Sequence, residues 1–223
     1  MQAPPLTVLF DLDGTLIDSI ALIIQAAHYA FDLHDGPRPT EQEFVAGIGR
    51  PLVTQFGPYV RSPEEMATLI ANYRTYQLEH HDRLTTLYDG VEDSVVALRS
   101  AGHRLGIVTS KMEGIARRSL GHVRLDHHFE VLVGCDATER HKPDPQPVHF
   151  ALERMGGVPE RAVFVGDSPY DLQAGNSAGV TTIAATWGAF PRDTLLAAAP
   201  SYVAHRPQEI PDLIDAIWRR GPA

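Results

Sequence analysis

Two aspartates separated by one residue follow the first apolar stretch of the chain. Asp11 and Asp13 come directly after the β-rich run at residues 6–10, and Gly14 comes next. An aspartate carboxylate can attack phosphorus and form an aspartyl-phosphate. A second carboxyl two residues away can give a proton to the leaving group and then take one from water. The pair therefore indicates phosphoryl-transfer chemistry, with a tight turn at the glycine holding both side chains near one point.

Three later apolar runs are followed by polar residues that suit the same chemistry. In an open α/β sheet, ligands bind beyond the carboxyl ends of the strands, so these residues are expected to meet at one edge. The sequence has only two lysines against 17 arginines, and both lysines fall in this set. The set supplies hydroxyls, ammonium groups and carboxylates: Thr109, Ser110, Lys111, Lys142, Asp167 and Asp171.

Carboxylates that converge at one edge of a sheet would repel one another unless a cation joins them. Oxygen ligands without soft ligands suit Mg²⁺. Eleven histidines are present, but the adjacent pairs lack the spacing of zinc ligands and have no cysteine partner, so packed or solvated histidine is the better interpretation. The sequence therefore predicts Mg²⁺, beside a lysine and small hydroxyls that bind phosphate.

Strand-like and helical patterns alternate along most of the chain, which predicts a doubly wound, mostly parallel α/β sheet. The strands are expected at 6–10, 104–109, 131–134, 162–165 and 181–186. Residues 17–86 break this rhythm, because they show helical periodicity and no convincing strand. We therefore expect an α/β core at 1–16 and 87–223, with a helical cap domain inserted at 17–86.

Composition bounds the class of protein. The 223 residues are 43% hydrophobic and 21% charged, which is ordinary globular usage. The net charge of −9 disfavours binding to nucleic acid or to an anionic membrane. The single Cys135 permits no internal disulfide, the start lacks the basic region of a signal peptide, and no apolar run is long enough to span a membrane. We expect a cytoplasmic protein, and the sequence leaves its oligomeric state open.

These motifs stand in order from Asp11 to Asp171, and the helical insertion comes directly after the first of them. In this the chain resembles the haloacid dehalogenase superfamily of hydrolases, in its phosphatase branch. It is similar to the phosphoglycolate phosphatases and to the bacterial PpaX pyrophosphatases, the latter through residues 7–16, 80–82 and 106–109. The resemblance implies a Rossmann-like core, an inserted cap, Mg²⁺ and a small phosphorylated substrate. The superfamily's dehalogenases lack an aspartate at the position of Asp13, so its presence here favours phosphorus as the target.

The resemblance implies a role for each motif residue. Asp11 would be the nucleophile, and Asp13 would be the general acid and base, with its backbone carbonyl on the metal. Thr109 and the Ser110 backbone N–H would bind the transferring phosphoryl group, whose charge Lys142 would neutralise. The implied metal ligands are Asp11, Asp13, Asp167 and Asp171.

Three residues keep two interpretations each. Asp171 would orient either the metal's waters or Lys142. Arg50 would reach from the cap to a substrate phosphate or carboxylate, or else be an ordinary surface arginine. Lys111 would be a site residue or a surface residue of the following helix.

Among substrates, a small phosphorylated acid such as phosphoglycolate is expected first, with inorganic pyrophosphate close behind. A sugar phosphomutase is the rival enzyme, since it would use the same aspartyl-phosphate. A receiver-like phosphoacceptor switch is the rival of another class, but the inserted residues 17–86 and Asp13 oppose it.

Overall fold

The computed structural model describes residues 5–220, which form a central sheet of six parallel strands. The order across the sheet is β5, β4, β1, β6, β7 and β8, so consecutive strands diverge on either side of β1. The strands are β1 (Thr7–Phe10), β4 (Arg104–Val108), β5 (Val131–Val133), β6 (Ala162–Gly166), β7 (Thr181–Ala185) and β8 (Tyr202–Ala204). In such a doubly wound sheet the crevice lies where the strand order reverses, which here is between β1 and β6.

Six helices cover the two faces of the sheet: α5 (Val91–Ser100), α6 (Glu113–His122), α7 (Gln146–Met155), α8 (Pro169–Ser177), α9 (Arg192–Ala197) and α10 (Ile210–Arg220). Successive side chains of a strand point to opposite faces. In β1, Val8 and Phe10 pack in the apolar cluster formed with α5, α6 and α10. Leu9, between them, packs in the cluster formed with α7 and α8. Because both faces are covered, the strands are apolar throughout rather than alternating.

The segment between β1 and α5 consists of helices and loops, with a short strand near each end. It contains α1 (Ile20–Asp32), α2 (Glu41–Gly47), α3 (Leu52–Phe56) and α4 (Pro63–His80). The short strands β2 (Ile17–Asp18) and β3 (Thr86–Leu87) pair antiparallel where the segment leaves and re-enters the sheet domain. The expectation of no strand in 17–86 is therefore wrong at both ends, because two-residue strands carry no alternation to detect. The prediction also missed β8.

The helices α1 to α4 pack around an aromatic cluster. Phe56 is fully buried, and its ring centroid lies 5.2 Å from that of Phe31 and 5.8 Å from that of Tyr73, both edge-on. The same cluster continues into Leu172 and Phe190 of the sheet domain. The segment is thus packed on the sheet domain, which confirms the predicted α/β fold with an inserted helical cap. The boundaries of two domains at 16/17 and 86/87 stay a prediction.

Local sequence signals fix where the cap helices begin. Thr40 precedes α2 and forms a capping box with Glu43, in which each side chain accepts a hydrogen bond from the other residue's backbone N–H. Ser62 precedes α4 and accepts from the backbone N–H of Glu65.

Across residues 5–220, no helix has the length and apolar character needed to cross a membrane.

Candidate active site

Asp11 lies at the carboxyl end of β1, at the point where the strand order reverses. Its backbone N–H donates to the carbonyl of Val165 in β6 at 2.9 Å, so the residue is anchored between the two central strands. The residue is only 3% exposed. Burial raises the pKa of the Asp11 carboxyl to about 7, although the charge of Lys142 opposes this and those of Asp171 and Asp13 add to it.

Lys142 joins two of the carboxylates. Its Nζ lies 2.9 Å from Asp11 Oδ1 and 2.6 Å from Asp171 Oδ1, and it also donates to the carbonyl of Val108 at 3.3 Å. Burial alone would lower the pKa of this lysine, but the two aspartates outweigh it and the pKa is raised. The ammonium group is therefore charged at any physiological pH.

Asp171 is fully buried in the first turn of α8. Its Oδ2 accepts hydrogen bonds from the backbone N–H and the hydroxyl of Ser168, which precedes the helix and caps it. Its Oδ1 is occupied by Lys142. Because this contact with Lys142 is direct, the geometry favours orienting Lys142 among the two predicted roles.

Asp167 follows β6 and faces Gly14 across the crevice. Its Oδ1 accepts from the hydroxyl of Thr15 at 3.1 Å and its Oδ2 from the backbone N–H of Ala189 at 2.9 Å. Burial, followed by the charges of Asp11 and Asp171, raises the pKa of this carboxyl well above its usual range. A Cβ at position 14 would overlap the carboxylate, and Gly14 has a φ of +89°. Only glycine lets the turn after β1 approach Asp167 this closely.

The carboxylate of Asp13 points to a different group of partners. Its Oδ1 accepts from the hydroxyl of Ser19 at 2.5 Å and from Lys111 Nζ at 2.6 Å. The side chain of Lys111 is 4% exposed, so its interpretation as a surface residue is wrong. Both lysines of the chain therefore pair with aspartates of the turn after β1.

The hydroxyl residues after β4 lie at the same edge of the sheet. Thr109 is buried, its backbone N–H donates to Val133, and its Oγ1 accepts from the backbone N–H of Lys111 at 3.2 Å. This leaves the Thr109 hydroxyl proton for another acceptor. Ser110 donates its own hydroxyl to the carbonyl of Gly49 in the cap at 2.5 Å, which ties the sheet domain to the cap.

The net charge of the site is compatible with a bound divalent cation. Four carboxylates and two ammonium groups leave a net charge of −2 when all are ionised: Asp11, Asp13, Asp167 and Asp171 against Lys111 and Lys142. Ligand atoms from Asp11, Asp167 and Asp171 lie within 4.8 Å of one another. A divalent cation would cancel the excess, and an all-oxygen donor set suits Mg²⁺. The Asp13 carboxylate lies outside this group, which is compatible with the role that the family resemblance implies for Asp13, a metal ligand through its backbone carbonyl.

A small cavity, partly open to solvent, lies over Asp11 between the sheet domain and the cap. Asp13, Thr109, Ser110 and Lys111 line it from the sheet side, and the candidate Arg50 lines it from the cap. The guanidinium of Arg50 lies 5.7 Å from the ring centroid of Tyr170. The structure therefore brings every predicted site residue either to this cavity or to the buried carboxylate cluster beneath it.

Sequence reasoning missed two polar residues of α4 that line the same cavity. Arg74 and Gln77 lie on α4, and Arg74 Nη1 donates to Gln77 Oε1 at 2.6 Å. A signal for them exists in the sequence. The inward-facing positions of α4 include Leu69 and Tyr73, and the next position on that face is a glutamine instead of an apolar residue. It also missed Ser19 and Thr15, whose hydroxyls hold Asp13 and Asp167.

Comparison with known proteins agrees with this geometry. The family model described as haloacid dehalogenase-like hydrolase matches residues 8–185. A protein of Caldanaerobacter subterraneus that carries the name PpaX is 38% identical over 87% of this chain and 88% of its own length. Pyrophosphatase PpaX of Halalkalibacterium halodurans is 35% identical over 95% of this chain and 96% of its own.

The fold has close counterparts among solved structures. The crystal structure of a predicted phosphoglycolate phosphatase from Haemophilus somnus superimposes with a TM-score of 0.83, covering 94% of this chain and 97% of that one at 23% identity. That likeness supports the fold, and the sequence relatives support the family. The chain therefore belongs to the haloacid dehalogenase-like hydrolases, in their phosphatase branch.

Proposed function

We propose that this protein is a Mg²⁺-dependent phosphatase that hydrolyses a small phosphorylated compound through an aspartyl-phosphate on Asp11. The observation that carries the proposal is the buried contact of one lysine with two aspartates, in which Lys142 Nζ reaches both Asp11 and Asp171. This contact holds one Asp11 oxygen and leaves the other for attack beneath the cavity.

In the first step, the free oxygen of Asp11 attacks phosphorus and the bond from phosphorus to the leaving oxygen breaks. Protonated Asp13 gives its proton to that leaving oxygen. In the second step, ionised Asp13 takes a proton from a water, and the water oxygen attacks phosphorus. The bond between phosphorus and Asp11 breaks, which releases phosphate and restores both carboxyl groups.

The remaining residues bind and neutralise the phosphoryl group. Thr109 would donate its hydroxyl proton to a phosphoryl oxygen, and Lys142 would offset the charge that Asp11 and the phosphoryl group bring together. Mg²⁺, held by Asp11, Asp167 and the Asp13 carbonyl, would supply further charge neutralisation of the phosphoryl oxygens. The net charge of −2 in the carboxylate and lysine cluster supports a divalent cation in that place.

Inorganic pyrophosphate is our first candidate substrate. Relatives named pyrophosphatase PpaX match nearly the whole chain, at 35% identity over 95% of it in the case of H. halodurans. This reverses the order expected from the sequence, in which phosphoglycolate came first. Phosphoglycolate stays the second candidate, because it also presents an anionic group beyond the phosphoryl group.

Phosphate release from a small panel tests the proposal. The panel contains pyrophosphate, phosphoglycolate, glucose 6-phosphate and 4-nitrophenyl phosphate, each with Mg²⁺ and with EDTA. We expect Mg²⁺-dependent release from pyrophosphate, and we expect Asp11→Asn to lose it while keeping the circular dichroism spectrum of the wild type. Wild-type activity in Asp11→Asn would contradict the proposal.

The same panel separates the rival functions. A phosphomutase would convert a sugar phosphate into its isomer with little phosphate release. A phosphoacceptor switch would form a long-lived phosphoprotein without turnover. The family match over residues 8–185 supports a hydrolase against the switch.

A further inference from the structure

The charged residues that the cap contributes to the cavity lining are both arginines, although the cap as a whole is acidic. Residues 17–86 contain nine acidic residues and five arginines, a net charge of −4. Two of those arginines, Arg50 and Arg74, line the cavity over Asp11, and the only acidic residues in its lining are Asp11 and Asp13. The cap surface that faces the cavity therefore carries a positive charge, whereas the cap as a whole carries a negative one.

Neither cavity arginine forms an ion pair with the part of the chain that the structure describes. Within residues 5–220, no carboxylate lies within 4.0 Å of the guanidinium of Arg50 or of Arg74. Two of the three cap arginines outside the cavity do pair with a carboxylate, Arg38 with Asp32 and Arg61 with Glu65, and the third is exposed to solvent. A half-buried arginine without a carboxylate partner is available for an anionic ligand, and its planar fork matches carboxylate and phosphate oxygens.

Arg74 is also held in place. Its Nη1 donates to Oε1 of Gln77, one turn further along α4, at 2.6 Å, and Gln77 is 2% exposed. The guanidinium carbon lies 5.9 Å from the ring centroid of Tyr73, which is also buried. A side chain fixed by such contacts loses less conformational entropy when it binds a ligand.

The direction of the reaction decides which part of the substrate these arginines meet. In phosphoryl transfer the attacking and leaving oxygens are roughly in line. Asp11 attacks from the floor formed by the sheet, so the leaving group departs toward the cap. The two cap arginines therefore surround the leaving group, whereas the two lysines pair with aspartates of the turn after β1.

From these observations, and resting on the phosphatase function proposed above, we infer that Arg74, positioned by Gln77 and acting with Arg50, binds a leaving group that is itself anionic. Arg74 is then a specificity-determining residue, and the substrates are phosphorylated compounds with a second phosphate or a carboxylate. Neutral sugar or aryl leaving groups would leave both guanidinium groups without an anionic partner in the cavity.

Equilibrium binding tests this inference without turnover. Calorimetry in Mg²⁺ compares methylenediphosphonate, which has two anionic groups, with methylphosphonate, which has one. We expect the wild type to bind the diphosphonate more tightly. In Arg74→Met we expect the ratio of the two affinities to fall by about 10- to 100-fold, as for the loss of one charge-assisted hydrogen bond.

Two further variants complete the test. Arg83→Met removes an exposed arginine just beyond α4 that contacts His80 and does not line the cavity, and its affinity ratio should equal that of the wild type. Arg74→Lys keeps the charge but loses the fork, and we expect its ratio to fall by about threefold. Should Arg74→Met fail to fold, Arg74→Lys decides the question on that criterion.

An unchanged ratio in the Arg74 variants would overturn the inference, and so would equal affinity of the wild type for the two phosphonates. The kinetic counterpart is the ratio of kcat/KM for pyrophosphate to that for 4-nitrophenyl phosphate, which should fall in Arg74→Met by a similar factor. Failure of the proposed function is a separate result, because it would appear as Asp11→Asn retaining hydrolysis of 4-nitrophenyl phosphate.

Discussion

Replacing Lys142 by methionine should destabilise the protein in a way that depends on pH. Methionine keeps most of the buried stem but removes the ammonium group, so Asp11 and Asp171 lose the cation that lies 2.9 and 2.6 Å from them. Removing one partner of a buried ion pair costs about 3–5 kcal/mol when the remaining charge cannot be neutralised. Here protonation of the carboxyl groups offers a way to neutralise it.

The sign of the pH effect follows from Asp11. Burial raises its pKa in the folded protein from 3.8 to about 7, with Lys142 acting in the opposite direction. The folded state therefore holds this proton more tightly than the unfolded chain, and the free energy of unfolding falls as pH rises from about 4 to about 7. Without Lys142 the pKa rises further, and the fall continues to higher pH.

The size of the effect can be bounded. A neighbouring cation lowers the pKa of an aspartate by about 1–3 units, and each unit is worth about 1.4 kcal/mol. At pH 5 Asp11 is largely protonated with or without the lysine, so its contribution to the difference between variant and wild type is small. At pH 9 the deficit of Lys142→Met should be larger than at pH 5 by about 1.4–4 kcal/mol.

Urea denaturation in EDTA at pH 5 and pH 9 measures this difference for the wild type, Lys142→Met and the exposed control Arg83→Met. The control should show no change in deficit between the two pH values. An equal deficit of Lys142→Met at both pH values, or a larger one at pH 5, would refute the assignment of this lysine as the counter-ion of buried, ionisable aspartates.

Three further predictions concern the metal, the turn after β1 and the cap. Mg²⁺ should raise the midpoint temperature of thermal unfolding clearly at pH 8 and hardly at pH 5. The reason is that protons compete with the metal for carboxylates such as Asp11, whose pKa is about 7. Equal shifts of the midpoint temperature at the two pH values would contradict this. Gly14→Ala should lower the free energy of unfolding by about 1–3 kcal/mol and weaken Mg²⁺ binding in calorimetry. The φ of Gly14 is +89°, and the new Cβ would overlap the carboxylate of Asp167. A variant as stable as the wild type would contradict this prediction. Thr40→Ala should lower the free energy of unfolding, measured by urea denaturation, by about 1 kcal/mol, because it removes the capping box of α2. Phosphate release should be unchanged. A loss of activity would contradict the purely stabilising role of this capping box.

The catalytic floor of the site could be predicted from the sequence because each residue directly follows a strand. Asp11 and Thr109 come after β1 and β4, and Asp167 comes after β6, so the parallel sheet itself brings them to one edge. The rarity of lysine singled out Lys142 and Lys111 before any contact was known. Their catalytic roles stay predictions, but their positions agree with the expectation.

The cap side of the site could not be predicted in the same way. Which face of α4 meets the cavity depends on how that helix packs against α1 and the sheet domain, and the sequence pattern alone gives only the apolar face. Gln77 interrupts that apolar face with a polar residue, and Arg74 lies beside it, where the pattern predicts solvent exposure. The partner of Lys111 was equally hidden, since its contact with Asp13 joins residues 98 positions apart in the chain.

The central claim is that Asp11 carries the phosphoryl group during turnover, and trapping that group tests it most directly. The protein is mixed with pyrophosphate and Mg²⁺, and the reaction is quenched in acid within the first turnover. The protein is then digested, and the masses of the peptides are measured by mass spectrometry. The account predicts that the peptide containing Asp11 gains the mass of one phosphoryl group, and that hydroxylamine removes it. Phosphate release without any such peptide, or with the phosphoryl group on another residue, would contradict the account.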